Sequence, residues 1–267
     1  MVSFTCENNK LLDEVNKLGK LVRSGIDYTN KKQPLMSVCT IRSGNEQPRD
    51  PCDVTVDNKT ENIYIADTCN NCIKVFDSNA KYLFKFGDSN SEGAMTLPKC
   101  LSIYGNRVLI SQGHCILNYT LDGKFISKFG KQGNGELEFD YPRGLTIDDS
   151  TEDIYICDSC NNRVQILTKD LCYKTQFGIN TLEAPLDIKL SKEYIYVLDE
   201  LNPCIHLFNR NLILQKSIIS RGIENQVITP RSLFIDNSDF ILIADTSSNT
   251  ISIFNPEFKL VQQDSCV

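Results

Sequence analysis

The stretch Tyr141-Pro-Arg-Gly-Leu-Thr-Ile-Asp148 opens a segment of four short β-rich runs. The second run is Asp153-Ile-Tyr-Ile-Cys-Asp158, and the third, Arg163-Val-Gln-Ile-Leu167, follows the turn Ser159-Cys-Asn-Asn162. The fourth run is Tyr173-Lys-Thr-Gln-Phe-Gly178. Runs of β-branched and aromatic residues bounded by Asp, Asn and Gly predict strands joined by tight turns.

This pattern recurs along the chain, and each copy begins at a proline. Successive prolines are 47, 44, 43 and 45 residues apart. A parallel α/β sheet would need crossover helices, and no helical stretch fits between these runs. A β-sandwich is compatible with the strands but gives no reason for a fixed period. Four strands in about 45 residues is the size of one β-propeller blade, so the predicted fold class is an all-β propeller. The starting prolines are Pro51, Pro98, Pro142, Pro185 and Pro230.

The third copy resembles the NHL repeat. It has the proline start, the Ile-Tyr-Ile-X-Asp strand, the Asn-Asn-Arg-Val segment and the final Phe-Gly of that repeat. The first copy, with Asp67-Thr-Cys-Asn70, matches nearly as well. In the second copy we assign Ser111 to the place of the Asp, and in the fourth Pro203 interrupts the turn. The resemblance covers about residues 35–267 and implies an NHL-type β-propeller.

The number of blades is the open point of this prediction. Residues 51–267 supply five full repeats, and residues 35–41 are predicted to be the orphan N-terminal strand of a preceding unit. The family that the chain resembles usually has six blades and closes by pairing such a strand with C-terminal inner strands. We therefore expect an incomplete copy of the six-bladed type, with a genuine five-bladed ring as the alternative.

The N-terminal residues have a different pattern. Leu11, Val15, Leu18 and Val22 form a short heptad-like stripe, which predicts a helix. The helix is either a small element docked on the propeller or the end of a coiled coil, as a resemblance to tripartite-motif proteins implies. The predicted domains are a helical stub over residues 1–25 and the propeller over residues 26–267.

Composition restricts the classes of partner. The chain has 28 Lys and Arg against 34 Asp and Glu, a net charge of -6, so DNA and anionic membranes are not expected partners. It shows neither a signal peptide nor a long apolar run, and we expect a cytoplasmic protein. Its 12 cysteines are therefore predicted to be reduced thiols.

Few residues suit catalysis or metal binding. The two histidines, His114 and His206, occupy different repeat positions. The Cys-x-x-Cys pairs that start at Cys69 and Cys157 lie in separate units, so they do not predict a shared zinc site. No cofactor, metal or enzymatic activity is predicted. A propeller enzyme is retained as a third alternative, because some related propellers are lyases or hydrolases.

Aspartates and asparagines recur where the second run of a repeat ends. We predict that the carboxylates accept backbone hydrogen bonds in the following turn and that the asparagines adopt left-handed conformations. These structural turn residues are Asp67, Asn70, Asn71, Asp158, Asn161, Asn162, Asp199 and Asp245.

Basic residues next to the prolines are the candidates for binding. Lys99, Arg143 and Arg231 each follow a starting proline, and Arg163 is assigned to the same face. The resemblance implies a non-catalytic module for a protein partner, the substrate-recruiting part of a tripartite-motif type ubiquitin ligase, although these residues contain no RING or B-box pattern. The alternative partner is single-stranded RNA, because basic side chains contact the phosphates of its backbone. Acidic residues near these cations, such as Asp53 and Asp187, argue against RNA.

Overall fold

The computed structural model of the chain describes residues 46–88, 93–202, 204–219, 230–236, 238–245 and 249–265. They form five four-stranded antiparallel sheets, each with its strands side by side in sequence order. We number these sheets blades 1 to 5 along the chain. The prediction of an all-β fold built from five four-stranded propeller blades is confirmed. The predicted N-terminal helix and the orphan strand at residues 35–41 lie outside the described residues.

The strand bounds follow the repeat. Blade 1 contains β1 (Pro51–Val56), β2 (Ile63–Asp67), β3 (Cys72–Phe76) and β4 (Tyr82–Phe86); blade 2 contains β5 (Cys100–Tyr104), β6 (Arg107–Gln112), β7 (Cys115–Thr120) and β8 (Phe125–Phe129). A short parallel pair follows, β9 (Lys131–Gln132) with β10 (Glu138–Phe139). Blade 3 contains β11 (Pro142–Ile147), β12 (Ile154–Asp158), β13 (Arg163–Leu167) and β14 (Tyr173–Phe177). Blade 4 contains β15 (Pro185–Leu190), β16 (Tyr194–Asp199), β17 (Cys204–Asn209) and β18 (Leu214–Ile219); blade 5 contains β19 (Pro230–Ile235), β20 (Ile241–Asp245), β21 (Thr250–Phe254) and β22 (Leu260–Ser265).

Burial differs between the inner and outer strands of a blade. Every residue of β2 and β3 is buried, whereas β4 alternates between half-buried and exposed residues until its last residue. A strand covered on both faces reads as a continuous apolar run, and a strand with one wet face alternates. The sequence Ile63-Tyr-Ile-Ala-Asp67 therefore forms an inner strand, and Tyr82-Leu-Phe-Lys-Phe86 forms an outer one.

The described residues divide into two compact units. The first contains the residues up to Arg143, and the second contains residues 144–265. Within the first unit, blades 1 and 2 share one apolar core, in which the rings of Phe86 and Tyr119 lie 5.0 Å apart. Asp53 adds a polar link, because its Oδ2 accepts a hydrogen bond from the Leu101 backbone N–H at 2.8 Å.

The second unit repeats this packing. Phe177 of blade 3 contacts Phe208 of blade 4 edge-to-face at 4.9 Å. Asp187 of blade 4 is buried, and its Oδ2 accepts hydrogen bonds from Ser232 Oγ and the Leu233 N–H of blade 5, both at 2.9 Å. The acidic residues Asp53 and Asp187 thus join neighbouring blades.

One edge of each blade carries the residues singled out in the sequence. The first strand begins where the second ends, as in the register pairs Pro51 with Asp67, Pro185 with Asp199, and Pro230 with Asp245. We call this edge, together with the turns that meet it, the proline edge of a blade. None of the helices in the described part of the chain has the length and apolar character needed to cross a membrane.

Candidate functional site

The strand-end carboxylate of blade 1 is buried at the proline edge. Asp67 Oδ1 accepts the Arg49 N–H at 2.8 Å, and Oδ2 accepts the Asn70 amide at 2.8 Å. The Lys74 ammonium lies 3.0 Å from Oδ2 and also donates to the backbone carbonyls of residues 46 and 47. These contacts satisfy a buried charge that would otherwise be costly.

In blade 3 the buried strand-end carboxylate is hydrogen-bonded by different side chains. Asp158 Oδ2 accepts hydrogen bonds from Asn161 Nδ2 at 3.0 Å, Arg163 Nε at 2.8 Å and Gln165 Nε2 at 3.3 Å. Arg163 also donates to Gln176 Oε1 at 2.8 Å and is only 5% exposed. Its guanidinium therefore lies in the blade interior, with no face open for a partner.

In blade 4 the buried Asp199 accepts the Glu183 N–H at 2.6 Å and the Asn202 N–H at 3.2 Å. The His206 Nε2 atom lies 3.5 Å from its Oδ2 atom. Asp245 lies buried at the corresponding end of β20.

The register of blade 2 corrects one assignment made from the sequence. Gln112 pairs with Cys115 as Asp67 pairs with Cys72, so Gln112 takes the strand-end position. Its Oε1 accepts the Thr96 N–H at 2.8 Å, as Asp67 accepts that of Arg49. The assignment of Ser111 to this position is wrong, because a two-residue turn after Gln112 replaces the four-residue turn of blade 1 and removes the landmarks.

The asparagines of the turns link successive blades. Asn71 and Asn162 are left-handed, with φ of 53° and 54°. The left-handed prediction is wrong for Asn70 and Asn161, which end short 3₁₀ turns and donate to the Asp67 and Asp158 carboxylates instead. Asn71 Oδ1 accepts the Leu97 N–H at 2.7 Å, and Asn162 Oδ1 accepts the Ala184 N–H at 2.9 Å. Each amide thus holds the residue that precedes the proline of the next blade.

These pre-proline residues share an unusual conformation. Asp50, Leu97, Tyr141 and Ala184 have φ of 51°, 50°, 50° and 62°. A left-handed conformation costs a residue with a side chain about 1–2 kcal/mol. The side chains of Leu97 and Tyr141 are nevertheless 48% and 55% exposed. Left-handed residues also occur in other turns, such as Glu61 and Leu171, so it is the exposure of Leu97 and Tyr141 that distinguishes this edge.

Two of the predicted cations lie beside these residues. The Lys99 N–H donates to Ser111 O at 2.9 Å, and Ser111 Oγ donates to Arg143 O at 2.6 Å. Ser111 therefore holds the backbones of Lys99 and Arg143 next to each other. We call Leu97, Lys99, Tyr141 and Arg143 the 97–143 surface.

His114 supports Tyr141 from the turn of blade 2. Its Nδ1 atom accepts the Tyr141 N–H at 3.4 Å and lies 3.1 Å from Asp140 Oδ1, and the two rings are 4.6 Å apart. Leu97 and Tyr141 are not among the residues predicted from the sequence to bind a partner. Their position in the sequence could have identified them, because both are large apolar residues directly before a starting proline, where a β-strand has not yet begun to bury side chains.

The second unit has its own exposed apolar residues at the proline edge. Leu201 is 72% exposed and Ile179 is 53% exposed. Their loops are joined by a hydrogen bond from the Leu201 N–H to Glu183 O at 3.2 Å. The predicted cation Arg231 lies in this unit and pairs with Glu200. We call Ile179 and Leu201 the 179–201 surface.

The paired cysteines are divided between the interior and the surface. Cys72 and Cys157 are buried on strands, whereas Cys69 and Cys160 are exposed in turns. Burial raises the pKa of the Cys72 thiol to about 11, and burial also raises the pKa of the Cys157 thiol well above its usual value. Within the described ranges, no group of three or more His, Cys, Asp or Glu side chains has an arrangement suited to a metal ion.

The sequence and the fold have known relatives. Residues 49–76 and 139–167 match the NHL repeat. The chain is 28% identical over 158 residues to protein brain tumor of Drosophila melanogaster, an alignment that covers 53% of this chain and 14% of that protein. The fold is similar to virginiamycin B lyase from Staphylococcus aureus, with a TM-score of 0.61, 16% identity, and coverage of 82% of this chain and 71% of the other. A streptogramin B lyase gives a TM-score of 0.62 at 14% identity, with coverage of 80% and 68%.

Proposed function

The chain carries NHL repeats in the blades of a β-propeller fold, and from this premise we propose that its proline edges form a non-catalytic recognition module for a protein partner. The observation that carries the proposal is the exposure of large apolar side chains at the proline edges. Leu97 and Tyr141 form one such set, and Ile179 and Leu201 form another. Exposed apolar groups rimmed by polar ones favour a protein partner.

The distribution of charge supports the same partner class. Arg163 is buried against Asp158, and Arg231 is paired with Glu200, so two of the four predicted cations are already neutralised. Net charge is -6, which opposes binding to a polyanion. An extended protein segment with apolar and acidic side chains suits the 97–143 surface, where Lys99 and Arg143 accompany Leu97 and Tyr141.

The finer part of the proposal concerns the larger assembly. By its similarity to a tripartite-motif protein with NHL repeats, the module would recruit substrates for a cytoplasmic ubiquitin ligase whose catalytic domain lies elsewhere. The chain spans 14% of the length of the curated relative it matches. The proposed role in a ligase therefore involves more than the aligned region of that relative.

Site-specific photo-crosslinking tests the proposal. We would introduce p-benzoylphenylalanine at Tyr141 and at Leu201, with Leu83 and Ile126 as controls, since both are exposed apolar residues on outer strands. We expect protein adducts at Tyr141 or Leu201 that survive nuclease treatment and are missing at the controls. The same adducts at all four positions would contradict the proposal.

Single-stranded RNA is the second candidate, and Tyr141 favours it. An exposed aromatic ring beside Lys99 and Arg143 is the combination that stacks a base and contacts its phosphate. The test is binding of a random-sequence RNA oligonucleotide to the wild type and to Lys99→Glu/Arg143→Glu, with Lys124→Glu/Lys169→Glu as the matched charge control, since these lysines are exposed away from the proline edge. Tight binding lost only in the first variant would replace protein by RNA as the partner.

A further inference from the structure

Three polar side chains of blade 4 form a continuous line across its sheet. Asp199 ends β16, His206 lies on β17, and Ser217 lies opposite His206 on β18. His206 Nδ1 is 2.9 Å from Ser217 Oγ, and His206 Nε2 is 3.5 Å from Asp199 Oδ2. Asp199 and His206 are buried, whereas Ser217 is exposed.

The other blades do not need an imidazole opposite a hydroxyl. The pair His206 and Ser217 corresponds to Lys74 and Lys85, Leu117 and Lys128, Gln165 and Gln176, and Ser252 and Gln263. Lys74 and Gln165 show that a buried strand-end carboxylate is satisfied by an ordinary donor at this position. The histidine and serine of blade 4 are therefore not a requirement of the repeat.

The two ring nitrogens of His206 face different partners. Asp199 is an acceptor, so it favours the tautomer with the proton on Nε2, although Cys204 Sγ also lies 3.7 Å from this atom. In that tautomer Nδ1 has a lone pair directed at Ser217, and the serine O–H donates to it. A nucleophile bonded to a base that a third group orients is the arrangement of an activated serine.

We propose that Ser217 is a nucleophilic serine that accepts acyl groups from activated esters. His206 acts as the general base, and Asp199 is a positioning residue. Ser217 Oγ forms a bond to the ester carbonyl carbon while its proton passes to His206 Nδ1. The bond to the leaving alkoxide breaks, and the alkoxide takes that proton. Water then hydrolyses the acyl-serine by the same base, which returns the free hydroxyl and a carboxylic acid.

The position of β18 suits this reaction. It is the last strand of its sheet, so alternate backbone N–H groups point away from β17 with no further strand of that sheet to receive them. One such N–H lies within one residue of Ser217 and can donate to the oxyanion that forms during attack. The proposal is independent of the proline edge, because the reacting hydroxyl lies on an outer strand.

Covalent labelling tests the nucleophile. We would treat the intact protein with a fluorophosphonate and with p-nitrophenyl acetate and locate adducts by peptide mass spectrometry. Ser127 is the matched control, because it lies on the outer strand of blade 2 but faces the amide of Asn118 at 3.4 Å. We expect an adduct on Ser217 and none on Ser127. Equal labelling of both, or no adduct on Ser217, would overturn the proposal.

The variant His206→Gln tests the base. Glutamine occupies this position as Gln165 in blade 3 and bonds the strand-end Asp there, so the variant is expected to fold, which a thermal melt checks. Loss of a general base lowers such a rate on the order of 100-fold. Labelling at the wild-type rate in a folded His206→Gln protein would overturn the proposal. If that variant unfolds, His206→Lys, which reproduces Lys74, provides the same measurement.

The role of Asp199 has a spectroscopic signature. The ¹⁵N shifts of His206 are expected to report the Nε2–H tautomer in the wild type and a mixture of tautomers in Asp199→Asn, with slower labelling of Ser217. A wild-type ring protonated on Nδ1 would contradict the assignment of the base, since the serine could not then donate to that nitrogen.

Discussion

Asn162 combines a backbone conformation with a hydrogen bond, and both depend on its side chain. Its φ of 54° is one that asparagine tolerates better than most residues, and its amide oxygen holds the Ala184 N–H. The sequence pattern predicts the left-handed conformation. It does not predict the link to the next blade, because that depends on how far two turns lie apart in space.

Replacement of Asn162 separates the two contributions. We expect Asn162→Gly to destabilise the protein by about 1 kcal/mol through the lost hydrogen bond. Asn162→Ala should cost about 1–2 kcal/mol more, because alanine also resists positive φ. Urea unfolding at neutral pH measures both. Equal losses in the two variants would show that the conformation contributes nothing.

Lys74 gives a second test at a single residue. Lys74→Met leaves the Asp67 carboxylate without its buried counter-charge, and we expect a loss of about 3 kcal/mol or more. Lys74→Gln should lose less than Lys74→Met, because an amide at this position can still donate to the carboxylate, as Gln165 does beside Asp158, where Arg163 supplies the counter-charge. Urea midpoints of the two variants decide the matter, and a milder effect for methionine than for glutamine would refute the argument.

At the scale of elements, the strands follow from the sequence but some positions do not. The inner strands are apolar on both faces, so runs such as Ile63-Tyr-Ile-Ala-Asp67 identify themselves. The pattern does not identify Gln112, because the turn that follows it is two residues shorter than that of blade 1 and lacks the Asn-Asn segment. The sequence places Arg163 on the binding face and the structure buries it, because a basic residue in a turn motif gives no sign of the buried Asp158 that it meets.

The outer strands share a register irregularity that the residue pattern does not predict. Each of the five has a register irregularity near its start, for example between Val75 and Phe76 in the pairing of blade 1. A bulge twists an edge strand and weakens its ability to pair with another chain. Backbone geometry, rather than charge alone, thus protects these edges.

Close packing between blades 3 and 4 predicts a strong effect at Gly144. A Cβ atom there would lie 2.6 Å from Asp187 Cα and 2.8 Å from Leu186 O, and backbone atoms cannot move aside easily. We expect Gly144→Ala to destabilise the protein by about 1–3 kcal/mol. Gly105→Ala is the control, because its Cβ meets nothing within 4 Å and only its φ of 60° opposes alanine. Thermal melts should rank Gly144→Ala as the less stable variant.

The turn after the first strand of blade 3 makes stability depend on pH. Burial opposes ionisation of Asp148, but hydrogen bonds from Ser150 and the charge of Arg210 outweigh it, so the pKa of Asp148 lies below its usual value. A folded-state pKa below the unfolded value gives stability that is present at neutral pH and lost as the pH falls below about 4. In Asp148→Asn the free energy of unfolding should therefore decrease less as the pH falls through this range.

Urea midpoints between pH 7 and pH 3 measure the effect of Asp148→Asn. The control is Asp149→Asn, which removes the same charge from an exposed neighbour. An acid dependence that is unchanged in Asp148→Asn, or equally flattened in the control, would exclude Asp148 as its source.

For the whole molecule, the repeat specifies the fold more strongly than residue identity does. Similarity to a lyase structure persists at 16% identity with a TM-score of 0.61, so most residues can differ while the fold stays similar. Function does not follow in the same way. The exposed residues at the proline edge are free to vary without a change of fold, so the partner has to be found through them.

Net charge gives a prediction for the whole chain. The pI is about 5.1, so the mutual repulsion of molecules with a charge of -6 at pH 7 disappears on mild acidification. We expect light scattering to rise towards pH 5 and added salt to have little effect there, because near-zero net charge promotes association. A scattering maximum far from pH 5 would implicate partial unfolding instead.

The positions of the exposed cysteines allow a partner-binding surface to be mapped by alkylation of the natural thiols. Cys52, Cys69 and Cys160 expose thiols at the proline edge, whereas Cys172 exposes one at the opposite end of its blade. Burial and the charge of Asp50 raise the pKa of Cys69, so its alkylation should be slow at neutral pH. Differential alkylation with and without a partner would then map the occupied side without any substitution.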